Sequence, residues 1–144
     1  MAQQEQRYLR PDPRVHAGLV LSGGRVASAC MDLSDGLADG MRQIAQASGV
    51  GLAVDAAAIP MSDDARARLT ARGADAVETA LTAGDDYELL FTVRPSGRRR
   101  LEALRRQVGE LPLTRIGVVT KDRAVTITDA RGTRELPAAF EHFR

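Results

Sequence analysis

The stretch Ala27-Ser28-Ala29-Cys30-Met31-Asp32-Leu33-Ser34-Asp35-Gly36-Leu37-Ala38-Asp39-Gly40-Met41 changes its period in the middle, and that change decides the fold class. Up to Leu33 it is a short, mostly apolar run with the length of a buried strand. Beyond Gly36, the residues Leu37, Met41, Ile44 and Ser48 recur at helical spacing until Gly49 supplies a stop. A strand therefore turns into a helix through Ser34-Asp35-Gly36.

Toward the C-terminus the same alternation continues. Residues 51–55 predict a second strand, closed by Pro60. Ser62 predicts a helix cap, with Asp63 and Asp64 in the first turn where the helix dipole favours them, and that helix ends near Gly73. Residues 74–82 predict a shorter helix, and Gly84-Asp85-Asp86 a turn. Residues 87–93 form the clearest strand, with Tyr87, Leu89, Phe91 and Val93 on one face and Asp86 and Glu88 on the other. Ser96 predicts the cap of an arginine-rich helix with Leu101, Leu104 and Val108 turned inward. Residues 114–120 and 124–128 predict a hairpin around Lys121-Asp122-Arg123. The tail 136–144 is irregular and carries Phe140 and Phe143.

Toward the N-terminus, residues 15–21 are apolar but short, and Ser22-Gly23-Gly24 interrupts them. Residues 1–14 are polar and contain the Pro11-Asp12-Pro13 turn, as in a leader or interdomain linker. The expectation is one α+β domain over 15–144, with helices covering a mixed sheet.

Composition narrows the function classes. The 144 residues suit one domain with its own core. Aromatic residues make up 3%, with no Trp, so Leu, Val, Ile and Ala must fill that core. The formal net charge of +1 gives no field to draw the chain onto nucleic acid or an anionic membrane. Arg98-Arg99-Arg100 and Arg105-Arg106 lack interleaved aromatics and share a helix with an inward apolar stripe, so they read as a solvated face. The single Cys30 makes no internal disulfide and no cysteine cluster suggests zinc. With no signal-like segment and no apolar run near the length of a membrane span, the expected location is the cytoplasm.

Two acidic motifs carry the chemistry. In Asp32-Leu33-Ser34-Asp35-Gly36 a strand-to-helix junction offers backbone N–H groups to an anion. Gly36 permits close backbone approach, and Ser34 offers a hydroxyl to a phosphate oxygen. Asp32 and Asp35 make sense beside phosphate when Mg²⁺ sits between them, because that cation takes carboxylate and phosphate oxygens together. The plainer reading is that Ser34 or Asp35 caps the helix. In Gly84-Asp85-Asp86-Tyr87-Glu88, three carboxylates within four residues repel one another unless a cation or donor-rich ligand separates them; a solvated acidic turn is the alternative. Phe140-Glu141-His142-Phe143 either pins the tail to the core or walls a ring-binding pocket. No phosphate-binding G-x-x-x-x-G-K-[ST] loop, G-x-G-x-x-G, H-E-x-x-H or G-x-S-x-G is present.

Taken together, Ala29-Cys30-Met31-Asp32-Leu33-Ser34-Asp35-Gly36-Leu37-Ala38-Asp39-Gly40, Ala47-Ser48-Gly49-Val50-Gly51, Ile59-Pro60 and Ala83-Gly84-Asp85-Asp86-Tyr87-Glu88-Leu89-Leu90-Phe91-Thr92 resemble the second half of thiamine-monophosphate kinases. Arg10-Pro11-Asp12-Pro13-Arg14-Val15 and Phe140-Glu141-His142-Phe143 also sit where that family has similar segments. The resemblance implies an α/β/α layered, partly ferredoxin-like C-terminal domain. It also implies an absent N-terminal domain that carries most ATP and Mg²⁺ ligands and forms a homodimer. The implied activity is transfer of the ATP γ-phosphoryl group to thiamine monophosphate, with this half inactive alone.

By position, the resemblance makes Asp32 and Asp35 Mg²⁺ ligands and Ser34 an ATP contact. It places Asp85 near the thiamine substrate and Phe140 against its rings. Ala83 stands where the family usually has glycine, which requires negative φ there. The rivals are another ATP-using member of the aminoimidazole ribonucleotide synthetase-like superfamily that the resemblance implies, such as a cyclo-ligase or selenophosphate synthetase, and a non-catalytic thiamine-phosphate-binding or interaction module.

Overall fold

A computed structural model describes residues 11–136, so Phe140, the rest of the aromatic tail and the first ten residues lie outside the described part. In chain order the elements are α1 (Val15–Gly23), β1 (Ala27–Leu33), α2 (Leu37–Ser48), β2 (Gly51–Asp55), a 3-10 turn (Ala56–Ala58), α3 (Asp63–Ala71), α4 (Ala76–Thr82), β3 (Glu88–Val93), a second 3-10 turn (Pro95–Gly97), α5 (Arg98–Arg105), β4 (Gly117–Thr120), β5 (Val125–Asp129) and β6 (Gly132–Glu135). The class is α+β, as expected. Among the described residues no helix is long and apolar enough to cross a membrane.

The chain folds as two compact units. One comprises the chain up to Ser34 together with Asp85–Leu113; the other comprises Asp35–Gly84 and the chain from Thr114 onward. In the first, β1 and β3 pair antiparallel, from Ala27 opposite Val93 to Leu33 opposite Glu88. Ala17 and Leu21 of α1, Val26, and Leu104 and Val108 around α5 form its core. Leu89, Phe91 and Val93 pack against that core from alternate positions of β3, as the period-two pattern requires. The apolar segment after Arg14, too short to classify from its sequence, is the helix α1.

In the second unit a four-stranded mixed sheet has the order β4-β2-β5-β6. β2 pairs antiparallel with β4 and parallel with β5. The hairpin expected between 114–120 and 124–128 therefore does not form, because β2 lies between those strands. The hairpin is instead β5 with β6, from Thr126 opposite Glu135 to Asp129 opposite Gly132. The amphipathic helix α2 buries Leu37, Ala38, Met41, Ile44 and Ala45 and contacts α4, β2 and β5. Gly49 ends α2 in the left-handed conformation, as the sequence indicated.

Two of the expected caps differ in outcome. Ser62 accepts a hydrogen bond from the Ala65 amide at 3.1 Å and caps α3. Ser96 does not cap α5: it lies inside the 3-10 turn, and Gly97 is the N-cap without a side-chain bond. Pro95 drives the chain into that tight turn before a hydroxyl cap can form. The exposed arginines Arg98, Arg99 and Arg100 do form a solvated face.

Candidate functional site

The β1–β3 ladder brings Asp32 and Ser34 of one acidic motif to the same end of the first unit as Asp85, Asp86 and Glu88 of the other. Asp32 stands opposite Leu89, and Leu33 opposite Glu88. Beyond the ladder the chains stay tied by main-chain bonds: the Asp85 amide donates to the Ser34 carbonyl at 2.9 Å, and the Tyr87 amide to the Leu33 carbonyl at 3.1 Å. Ser34 and Asp85, distant in sequence, are thus neighbours in the fold. Asp32, Ser34, Asp85 and Asp86 are all exposed. Phe140, expected against the same ligand, lies outside the described residues.

The acidic segment departs from the strand that its sequence suggested. β3 begins at Glu88, while Asp85 (φ 63°) and Tyr87 (φ 50°) adopt the left-handed conformation. Asp tolerates that region; a bulky residue such as Tyr rarely enters it. The expected alternation of Tyr87 against Asp86 and Glu88 therefore fails before Glu88. The Tyr87 hydroxyl donates to Asp85 Oδ1 at 3.3 Å.

Charge in this segment is handled unequally. Arg14 grips Glu88 with both arms of its guanidinium, Nε to Oε2 at 2.9 Å and Nη2 to Oε1 at 2.7 Å. Its Nη1 also reaches Asp12 at 2.9 Å. The side chain of Arg14 is 12% exposed, and its bond to Glu88 is the largest effect raising its pKa further. Asp86 keeps solvent contact, yet the protein crowded around its carboxyl, and then the charges of Glu88 and Asp85, push its pKa up to about 6. Arg14 went unrecognised as a site residue in the sequence because nothing local indicates a partner 74 positions away.

At the junction itself, neither Ser34 nor Asp35 serves as the helix cap. The N-cap of α2 is Gly36 (φ 94°), with no side-chain cap bond. The close approach that Gly36 permits is to its own chain: a β-carbon there would lie 2.7 Å from the Ala83 carbonyl oxygen and 3.2 Å from that of Leu81. The glycine therefore answers a backbone contact inside the second unit. Ala83 itself has φ −66°, so its replacement of the usual glycine costs nothing in backbone strain.

Among the described residues, no group of three or more His, Cys, Asp and Glu side chains could hold a metal ion. Asp32 in the first unit and Asp35 in the second each offer an exposed carboxylate, the donor type that Mg²⁺ takes together with phosphate oxygens and water. A cleft of about 330 Å³ in the second unit, lined by Arg42, Ala45, Gln46, Gly49, Val50, Arg123 and Val125, contains none of the candidate residues.

Residues 3–130 match the family model described as AIR synthase related protein, C-terminal domain. The chain belongs to the AIR synthase related family. This AIR synthase related chain is 44% identical over 117 residues to the thiamine-monophosphate kinase of Salmonella typhimurium, covering 81% of itself and 34% of that protein. Among solved structures, the thiamine-monophosphate kinase of Stenotrophomonas maltophilia matches with a TM-score of 0.75 at 42% identity, over 85% of this chain and 37% of that one. The structure of AaThiL complexed with AMPPCP and TMP matches with a TM-score of 0.75 at 32% identity, over 96% of this chain and 40% of the other. The chain thus spans between a third and two fifths of the length of these relatives.

Proposed function

We propose that residues 15–144 are the C-terminal, substrate- and ATP-binding part of a kinase that transfers the γ-phosphoryl group of ATP to thiamine monophosphate, yielding thiamine diphosphate. The observation that carries this reading is the match to AaThiL, a relative complexed with AMPPCP and TMP, over nearly all of this chain. The adjacency of Ser34 and Asp85, held by a 2.9 Å main-chain bond, supports it, since phosphate-side and acceptor-side groups must meet for phosphoryl transfer.

In this reading Asp32 and Asp35 hold Mg²⁺, which neutralises charge on the nucleotide phosphates when bound. Ser34 donates its hydroxyl to an ATP phosphate oxygen. Asp85 faces the cationic thiazolium of thiamine monophosphate, and Phe140 takes the ring-facing position that the family resemblance assigns it. No protein nucleophile is needed; the residues supply orientation and charge balance. The remaining ATP and Mg²⁺ ligands belong to an N-terminal domain, so this chain alone binds without turnover, and the full-length enzyme works as a cytoplasmic homodimer.

Turnover by the full-length parent, measured as ADP release with thiamine monophosphate, aminoimidazole-type acceptors and selenide in parallel, tests the assignment. Stimulation by thiamine monophosphate alone is expected. Stimulation by another acceptor instead would move the protein to a different branch of the superfamily.

A further inference from the structure

We propose that Arg14 is a positioning residue whose two-armed grip on Glu88 fixes the segment 85–87, so that Asp85 is presented to the substrate in one set place. The inference rests on the reading of Asp85 as a substrate-binding residue, and adds to it the device that holds Asp85 still.

The segment is costly to hold. Asp85 and Tyr87 both sit in the left-handed region; Asp tolerates it, but Tyr persists there only when its surroundings over-determine it. Three carboxylates, Asp85, Asp86 and Glu88, crowd four positions, and their repulsion favours splaying apart. Against this, the segment has two main-chain bonds to the end of β1 and the residue after it, from Tyr87 to Leu33 and from Asp85 to Ser34. Both bonds lie immediately before Glu88, where β3 begins, so whatever fixes Glu88 fixes the end of the segment.

Arg14 is suited to that role. Its main chain is held in the first turn of α1, where the Gly18 amide donates to the Arg14 carbonyl at 2.9 Å. Its side chain is largely covered, unlike that of Glu88, which is 42% exposed. A planar guanidinium matches both carboxylate oxygens at once and so fixes the direction as well as the distance of Glu88. It also balances the charge of Glu88 and so eases the repulsion within the run. A lysine would supply the charge on a single flexible contact and would not set the orientation.

The test has two independent readouts, on Arg14→Ala, Arg14→Lys and Glu88→Gln. In this 144-residue chain, amide hydrogen exchange at Asp85 and Tyr87 is expected to quicken about tenfold in each variant, the loss expected for one charge-assisted pair, while Phe91 in mid-strand keeps its rate. In the full-length parent, KM for thiamine monophosphate is expected to rise about tenfold, with KM for ATP unchanged and no rescue by lysine. If Arg14→Ala does not fold, Arg14→Lys, which keeps charge and stem, supplies both readouts. Unchanged exchange at Asp85 and Tyr87, or an unchanged KM for thiamine monophosphate in Arg14→Lys, overturns the proposal. A wild-type parent that ignores thiamine monophosphate overturns the functional reading instead, and the exchange data then decide the clamp alone.

Discussion

Gly36 and Ala83 meet backbone to backbone: a β-carbon added to Gly36 would stand 2.7 Å from the Ala83 carbonyl oxygen. The contact joins the start of α2 to the end of α4, and no side chain can give way there, because the obstructing atom is main chain. Gly36 also has φ 94°, a conformation that L-residues rarely adopt. Gly36→Ala is therefore expected to cost roughly 2–4 kcal/mol, from strain and overpacking together. Chemical denaturation should show a lower midpoint at unchanged slope; a midpoint equal to wild type would mean that the backbones separate freely.

Asp32→Asn and Asp35→Asn address the chemistry rather than the fold. Both side chains are exposed, and Asp32→Asn should change stability by less than about 0.5 kcal/mol. In the full-length parent each should lower ATP-dependent turnover by about a hundredfold or more, partly restored at high Mg²⁺. Full turnover with both residues replaced would remove the metal role.

Asp86 gives the chain a specific pH dependence. Its folded pKa is raised from 3.8 to about 6, so the native state favours the protonated carboxyl. The stabilisation is complete below about pH 4 and is lost as pH rises through about 6. Asp86→Asn should match wild type in urea denaturation at pH 4 with chelator present and exceed it at pH 7. Solvent contact at this side chain holds the gain to roughly 1 kcal/mol. Equal stability of the two proteins across the whole range would refute the assignment.

Asp75 caps α4, accepting from the Val77 amide at 2.9 Å and the Glu78 amide at 3.1 Å. These backbone bonds, the Glu78 one foremost, lower its pKa. Because the folded value is depressed, the contribution is present at neutral pH and fades as the carboxylate protonates in acid. Asp75→Ala should cost about 1–2 kcal/mol at pH 7, and Asp75→Asn distinctly less, since an amide oxygen still caps. The difference between the two variants, measured by thermal unfolding, separates the cap from the ion pair with Arg131 at 3.0 Å.

Much of the local structure was legible in the residues themselves. The switch from strand to helix across Ser34-Asp35-Gly36, the stop at Gly49 and the cap at Ser62 all follow from short-range sterics and hydrogen bonding, and the structure reproduces each. The alternation of Leu89, Phe91 and Val93 was legible for the same reason: a strand has only two faces. The two acidic motifs could be nominated because carboxylates concentrated at a turn are chemically conspicuous.

Tertiary structure alone decided the rest, because it depends on pairings between residues far apart in the chain. Nothing in 114–128 announces that β2 will insert between β4 and β5, since either partner satisfies the same backbone donors and acceptors. Nothing in the acidic run foretells the left-handed turns at Asp85 and Tyr87, which the ladder to β1 and the ion pair to Arg14 accompany. Sequence, in short range, set which segments became helix or strand. Contact across the fold set which strands became neighbours and which charges were matched.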